Sequence, residues 1–298
     1  AGERGNDNER QLTHGGQMFL NPVNREKYPA FVLAPQCPET GYWAYSARPE
    51  SFLPNEMPLN EPITPIFQTV KDLLDTYLAM PQVDKSRIYI IGLSMGGMGT
   101  FDMAVRFPEI FAAAVPICGT VNVARLKAVK SVKFRIFHGD ADNVVTPEGS
   151  RAAYRTLKKE EWIGKAFPEF KVKDIEGQEW SKADVTGRPM VLNFWYTGCG
   201  PCIREMPELN KWIEVYPDVT YLATTFDSAA QIKKIVESRP FLFTQIADDL
   251  FFFETFHVSG MPVTILVDKK GIIRHIEQGT GTAKLRYMQD KLQKLVSE

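Results

Sequence analysis

Cys199-Gly200-Pro201-Cys202 stands between an apolar run, Met190–Tyr196, and a helical pattern that starts at Pro201 and continues to about Tyr216. A pair of cysteines at a strand-to-helix junction admits few folds and points to one kind of chemistry. At the open end of a helix, unpaired backbone N–H groups and the helix dipole stabilise a thiolate at Cys199 and lower its pKa. Cys202, one turn along, is placed to attack a mixed disulfide formed at Cys199 and release the reduced partner. The pair is therefore expected to cycle between dithiol and disulfide. A zinc site would want four ligands, and no second Cys or His pair stands at ligand spacing, since His257 and His275 are isolated. A purely structural bridge closing so short a loop would restrict the unfolded chain little. The only other cysteines are the separated Cys37 and Cys118, so a stabilising disulfide framework is excluded.

The pattern around the dithiol continues with a strand at Val219–Thr225, a helix at Ser228–Ser238, a hairpin of Val263–Val267 and Ile272–Ile276 turning at Asp268-Lys269-Lys270-Gly271, and a last helix over Ala283–Val296. The stretch from Val191 to Leu209, Val-Leu-Asn-Phe-Trp-Tyr-Thr-Gly-Cys-Gly-Pro-Cys-Ile-Arg-Glu-Met-Pro-Glu-Leu, resembles the redoxin-like thiol-disulfide oxidoreductases of the bacterial envelope, within the thioredoxin superfamily. The resemblance covers about Trp162 to Glu298 and implies a whole domain of that fold. It makes Cys199 the attacking thiol, Cys202 the resolving thiol and Glu205 the acid beside them. Gly260-Met261-Pro262 resembles the family's cis-proline loop, which offers backbone hydrogen bonds to a partner peptide; the alternative is a trans proline starting a strand. Asn193 departs from general thioredoxins, many of which keep a buried Asp there for proton transfer; either Glu205 takes over that job or proton transfer is slower. Pro207 is expected to kink its helix, and Phe251, Phe252, Phe253 and Phe256 to pack in a core.

Ahead of this region, from Tyr28 to Glu160, short apolar runs alternate with helical ones. Ala30–Ala34, Arg87–Leu93, Ala112–Ile117 and Lys133–Phe137 read as strands. Ile63–Met80, Gly97–Phe107 and Val123–Lys130 read as helices, which together predict a parallel sheet with crossover helices. Gly92-Leu93-Ser94-Met95-Gly96 lies between a strand and a helix, where glycines permit a tight turn that exposes Ser94 Oγ and leaves the Met95 backbone N–H free to stabilise an oxyanion. Phe137-His138-Gly139-Asp140-Ala141-Asp142 ends a later strand. With Ala1–Asp7 and Ala34–Pro38, these stretches resemble carboxylesterase-like α/β-hydrolases related to the dienelactone and polyester-depolymerase groups, a resemblance that implies Asp142 as the triad carboxylate. That family carries a strand and a His-Gly pair before the segment at Ala1 and a base a few dozen residues after the acid. Here the next histidine after Asp142 is His257, while His138 and His14 read as structural. A serine without an imidazole in reach is a weak nucleophile. The hydrolase part is therefore expected to be incomplete at both ends and inactive. Cys37 and Cys118 read as small buried hydrophobes.

The expected architecture is α/β: a partial α/β-hydrolase parallel sheet over residues 1–160, followed by a thioredoxin-fold domain over 161–298, the boundary set where Lys158–Phe170 breaks the strand-helix rhythm. Lys plus Arg number 35 against 36 Asp plus Glu, and neither half carries the basic excess that nucleic-acid binding needs. The longest apolar runs, such as Phe111–Cys118, fall far short of the ~20 residues that span a bilayer. Expected partners are protein or peptide thiols and disulfides, with a small ester or peptide at Ser94 under the alternative reading; no metal or other cofactor is called for. The envelope-type resemblance implies a periplasmic or other extracytoplasmic location. The alternatives are a serine carboxylesterase or peptidase acting through Ser94 with an accessory redoxin domain, and a non-catalytic binding module.

Overall fold

The computed structural model describes residues 3–129 and 131–298, in two compact units that divide between Leu157 and Lys158. The first unit begins with two short helices, α1 (Gly16–Leu20) and α2 (Pro22–Lys27). Helix α3 (Pro65–Leu78) starts where Thr64 Oγ1 accepts the Phe67 N–H at 3.1 Å and Pro65 occupies the first helical position, where its missing N–H costs nothing. Strand β1 (Tyr89–Leu93), helix α4 (Met95–Arg106), β2 (Ala113–Ile117), β3 (Lys133–Phe134) and helix α5 (Pro147–Trp162) follow. The strands form a three-stranded parallel sheet in the order β1-β2-β3. Phe101, Met103 and Ala104 of α4 pack with Phe67, Phe111, Ala114 and Leu126 in the principal core of this unit.

Several expectations for this unit are corrected. Ala30–Ala34 is not a buried strand: it has no ladder partner, and Phe31 and Val32 are 59% and 50% exposed. Its apolar run lacks what makes a strand, a neighbour to take its backbone hydrogen bonds. β1 is the sheet edge, with Tyr89 and Ile91 exposed. The run at Lys133–Phe137 pairs regularly only over two residues and then touches β2 by a single Ile117–Phe137 bridge. The stretch at Val123–Lys130 is a 3-10 helix, Val123–Ala128, and Lys130 lies outside the described residues, as do Ala1 and Gly2. The charged run Lys158–Glu161 continues α5 as far as Trp162; its two lysines and two glutamates are tolerated because they lie on partly exposed helix surface.

The second unit opens with a small antiparallel pair, β4 (Lys171–Lys173) and β5 (Glu179–Ser181), and a one-turn helix α6 (Lys182–Val185). Then come β6 (Met190–Phe194), α7 (Gly200–Val215), β7 (Thr220–Thr224), α8 (Ala229–Val236), β8 (Thr244–Ile246), α9 (Phe251–Thr255), β9 (Val263–Val267), β10 (Ile273–Gln278) and α10 (Thr282–Ser297). The five-stranded sheet runs β10-β9-β6-β7-β8, with β6, β7 and β8 parallel and β9 antiparallel to both neighbours. Every residue of β6, β7 and β9 is buried, as expected for central strands covered on both faces. Met190, Leu192 and Phe194 turn to one face, against Ile265, Phe252 and Phe256. Val191 and Trp195 turn to the other, with Met206 and Leu209 of α7 and Leu292 of α10. Of the aromatic cluster, Phe252, Phe253 and Phe256 are core residues, whereas Phe251 is 42% exposed.

Candidate active site

Strand β6 delivers the chain to the dithiol. After Phe194 the Trp195 N–H still donates to Thr224 O, and two residues before Cys199 the Thr197 N–H donates to Asp227 Oδ2 at 2.6 Å, which fixes the loop. Cys199 is the N-cap of α7, its Sγ accepting from the Cys202 N–H at 3.1 Å, and Pro201 sits in the first turn. The two sulfurs are joined in a disulfide, with the Cα atoms 5.3 Å apart. Cys199 and Cys202 are only 2% and 1% exposed, while Gly198, Gly200 and Pro201 around them are exposed. Both sulfurs are thus nearly covered, and the Tyr196 and Arg204 side chains lie close to Gly198 and Gly200 on the exposed rim.

Glu205, three residues beyond Cys202 on α7, is 3% exposed. Its Oε1 accepts from Asn193 Nδ2 at 3.1 Å, and Asn193 donates also to Thr264 Oγ1 at 3.0 Å, its cross-strand neighbour on β9. Burial raises the Glu205 pKa above its ordinary value, opposed by hydrogen bonds from Thr280 and Asn193. A carboxyl so held exchanges a proton more readily near neutrality than an exposed one. Met261–Pro262 is a cis peptide at the entry to β9. Gln278 Nε2 donates to Gly260 O at 3.0 Å and the Gly279 N–H to Pro262 O at 2.8 Å, tying that loop to the end of β10. Met261 packs against the core cluster that holds both cysteines.

In the first unit, β1 turns into α4 at Ser94, which adopts φ +56° and ψ −114°. Only glycine fits at Gly92, where a Cβ would stand 2.1 Å from Gly96 O, so the turn is tight for the reason the sequence suggests. The Ser94 N–H donates to Ile117 O at 2.8 Å, placing it at the end of β2. Asp142 Oδ1 accepts from the Val144 and Val145 N–H groups, which hold its carboxyl below the ordinary value, and Oδ2 is 3.3 Å from His138 Nε2. His138 Nδ1 is 2.7 Å from Ser150 Oγ and Nε2 is 2.8 Å from Val145 O. Among the described residues the Ser94 hydroxyl makes no side-chain hydrogen bond, and His14 pairs with Glu3 at 2.9 Å. Cys118 is corrected from a buried hydrophobe: it is half-buried, has φ +49°, and its sulfur, His138 and Asp142 present donor atoms all within 4.8 Å of one another.

Residues 163–276 match the model of the AhpC/TSA family. The thioredoxin-like protein YneN of Bacillus subtilis (strain 168) is 33% identical over 139 residues, covering 44% of this chain and 82% of that protein. The thiol-disulfide oxidoreductase ResA of Geobacillus thermodenitrificans (strain NG80-2) is 33% identical over 135 residues, 44% of this chain and 78% of that protein. The chain belongs to the thioredoxin-like thiol-disulfide oxidoreductases. Residues 66–135, which include Ser94, match the prolyl oligopeptidase family, so the oxidoreductase is fused to a hydrolase-like unit. The crystal structure of a thermostable esterase is also similar, at 35% identity and a TM-score of 0.46, over 52% of this chain and 40% of that one.

In this oxidoreductase α7 carries Cys199 at its N-cap with Cys202 and Glu205 along it, and Met261 of the loop before β9 packs against the core cluster that includes both cysteines. Sequence reading missed Thr280 and Asp227. Thr280 meets Glu205 across 75 positions of chain, between the hairpin and the last helix, and no local pattern marks it. Asp227 lies three positions after the end of β7, and only the parallel pairing of β6 with β7 brings it to Thr197. No helix among the described residues is long and apolar enough to cross a membrane.

Proposed function

We propose that this oxidoreductase exchanges disulfides with protein or peptide thiols in an extracytoplasmic compartment, with Cys199 attacking, Cys202 resolving, Glu205 moving the proton and Pro262 shaping the docking groove. The observation that carries the reading is the Cys199–Cys202 disulfide at the start of α7 with buried Glu205 on the same helix. In the oxidising direction a partner thiolate attacks Cys199 Sγ, a new S–S bond forms, and Cys202 leaves as a thiolate stabilised near the helix start. The partner's second thiolate then attacks the mixed disulfide and expels Cys199. The partner has lost two electrons and the protein has gained them, with two protons taken up as both thiolates become thiols. Reduction is the same sequence reversed. The extracytoplasmic location rests on the envelope-type resemblance of residues 191–209.

The first unit takes no part in hydrolysis on this reading. Ser94 has the strained turn of a nucleophile, but the His138 ring nitrogens are committed to Ser150, Val145 and Asp142. Insulin-disulfide reduction by the dithiol form tests the main activity: turnover is expected for the wild type and none above the chemical background for Cys199→Ser. Equal turnover by the Cys199→Ser variant would refute it.

A further inference from the structure

Between α7 and the loop that follows α8, the second unit holds a cleft of about 590 Å³ that the electron transfer itself leaves unused. Gly200, which stands between the two cysteines, forms part of its wall, and Ile203, Met206, Pro207 and Pro240 give it an apolar lining. The two sides are tied together. Asn210 Nδ2 donates to Pro240 O at 2.8 Å and Asn210 Oδ1 accepts the Leu242 N–H at 2.9 Å, so the loop keeps its place against the helix before anything binds. At the end of α8 the Arg239 N–H donates to Ile235 O at 2.9 Å, which fixes the point from which the Arg239 side chain leaves the backbone.

Charge decides what kind of occupant fits. Arg204 Nη1 lies 3.3 Å from the place a Cβ on Gly200 would take, and Arg239 lines the cleft from the loop. Among the described residues neither guanidinium has an ion pair or a hydrogen bond, and no acid lines the cleft. Glu208, the residue after Pro207, is taken by Lys211 at 2.7 Å, and Ser238 Oγ spends its proton on Ile235 O at 3.2 Å. The chain as a whole carries a net charge of −1, so two arginines without an acid are a local placement and not general basicity. We propose that this cleft seats the stretch of the partner protein beside its reactive cysteine, and that this stretch is acidic: its carboxylates meet Arg204 and Arg239 while its apolar atoms rest on Ile203, Pro207 and Pro240. The inference rests on the disulfide exchange proposed above and names the partner's chemistry at that site. A guanidinium suits the task because its planar fork can hold both oxygens of a carboxylate. Each such exposed pair is worth only about 1.5–5-fold, and charges at a rim act mainly on association, so the arginines set a preference among partners.

The test uses the full chain with its dithiol reduced and two short peptides, each carrying one cysteine in mixed disulfide with a nitrobenzoate thiol and differing only in Asp or Asn on both sides of that cysteine. Cys199 thiolate attacks the peptide sulfur; the Cys199–peptide bond forms, the old S–S bond breaks, and its electron pair leaves on the coloured nitrobenzoate thiolate, whose absorbance gives the rate. Cys202 thiolate then expels the peptide thiolate and closes the protein's disulfide. Rates of the same peptides with mercaptoethanol correct for their own reactivity. The corrected Asp-over-Asn ratio should be about 3–10 for the wild type at low salt and fall toward one in about 0.5 M salt, a readout that needs no variant. It should also fall toward one when Arg204→Gln and Arg239→Gln are combined, and below one in Arg239→Glu. Lys234→Gln removes an exposed cation of α8 outside the cleft and should keep the wild-type ratio. A ratio of one with both peptides turned over, or a preference that Lys234→Gln lowers as far as the arginine changes do, overturns the inference and leaves the exchange chemistry standing. Release of no nitrobenzoate thiolate from either peptide overturns both.

Discussion

At Glu205 a single carboxyl couples the dithiol's surroundings to pH. Its pKa is raised by burial, so as pH rises the unfolded chain gives up this proton near the ordinary value of 4.5, before the folded chain does. The folded state binds the proton more tightly; the stability it contributes is full below pH 4.5 and is lost as pH climbs through the raised value. Glu205→Gln keeps the shape and cannot ionise. Its melting temperature relative to wild type should therefore be level below pH 4.5, rise as pH climbs through the raised value and then hold constant; a gap that does not change with pH would contradict the burial argument. Cys199 and Cys202 were legible in sequence by their spacing at a strand-to-helix junction, whereas Glu205 and Pro262 were marked only by the resemblance of their segments to the envelope oxidoreductases. The contacts of Thr280 with Glu205, of Asp227 with Thr197 and of Cys118 with Asp142 join distant segments, which no window of sequence contains.

Among the elements, those with a strong period and a full set of neighbours were read most nearly right. β6, α7, β7, β9 and α10 fall within a residue or two of expectation, the strands because both sheet faces are buried and the helices because each buries one apolar stripe. The three-residue strands β4, β5 and β8 carry too few residues to show a period. Ala30–Ala34 misled for the opposite reason, having the composition of a strand without a partner. At the β1–α4 junction the constraint is steric rather than periodic. A methyl group at Gly92 meets the Gly96 backbone, and one at Gly97 would stand 2.6 Å from Ile117 O. Gly92→Ala should destabilise the first unit by about 1–3 kcal/mol, in the range of other forced overpacking, read as a lower denaturant midpoint with unchanged slope. An unchanged midpoint would show that the junction relaxes without cost.

For the molecule as a whole, a thioredoxin-like oxidoreductase unit and a hydrolase-like unit share one chain, and the proposed function assigns chemistry to the first alone. Incubation with a fluorophosphonate probe should leave Ser94 unlabelled under conditions where thiol exchange is active, and Ser94→Ala should leave insulin reduction unchanged. Robust labelling that disappears in Ser94→Ala would restore the hydrolase reading and make the dithiol its accessory. The near-complete burial of both sulfurs bears most directly on the central claim, because exchange demands that a partner reach Cys199 and not Cys202. Cys202→Ser leaves the attacking sulfur and removes the resolving one. Incubated with a disulfide-bearing peptide, this variant should accumulate a stable one-to-one mixed disulfide that mass spectrometry places on Cys199. No adduct at Cys199, with Cys37 or Cys118 modified in its place, would contradict the account.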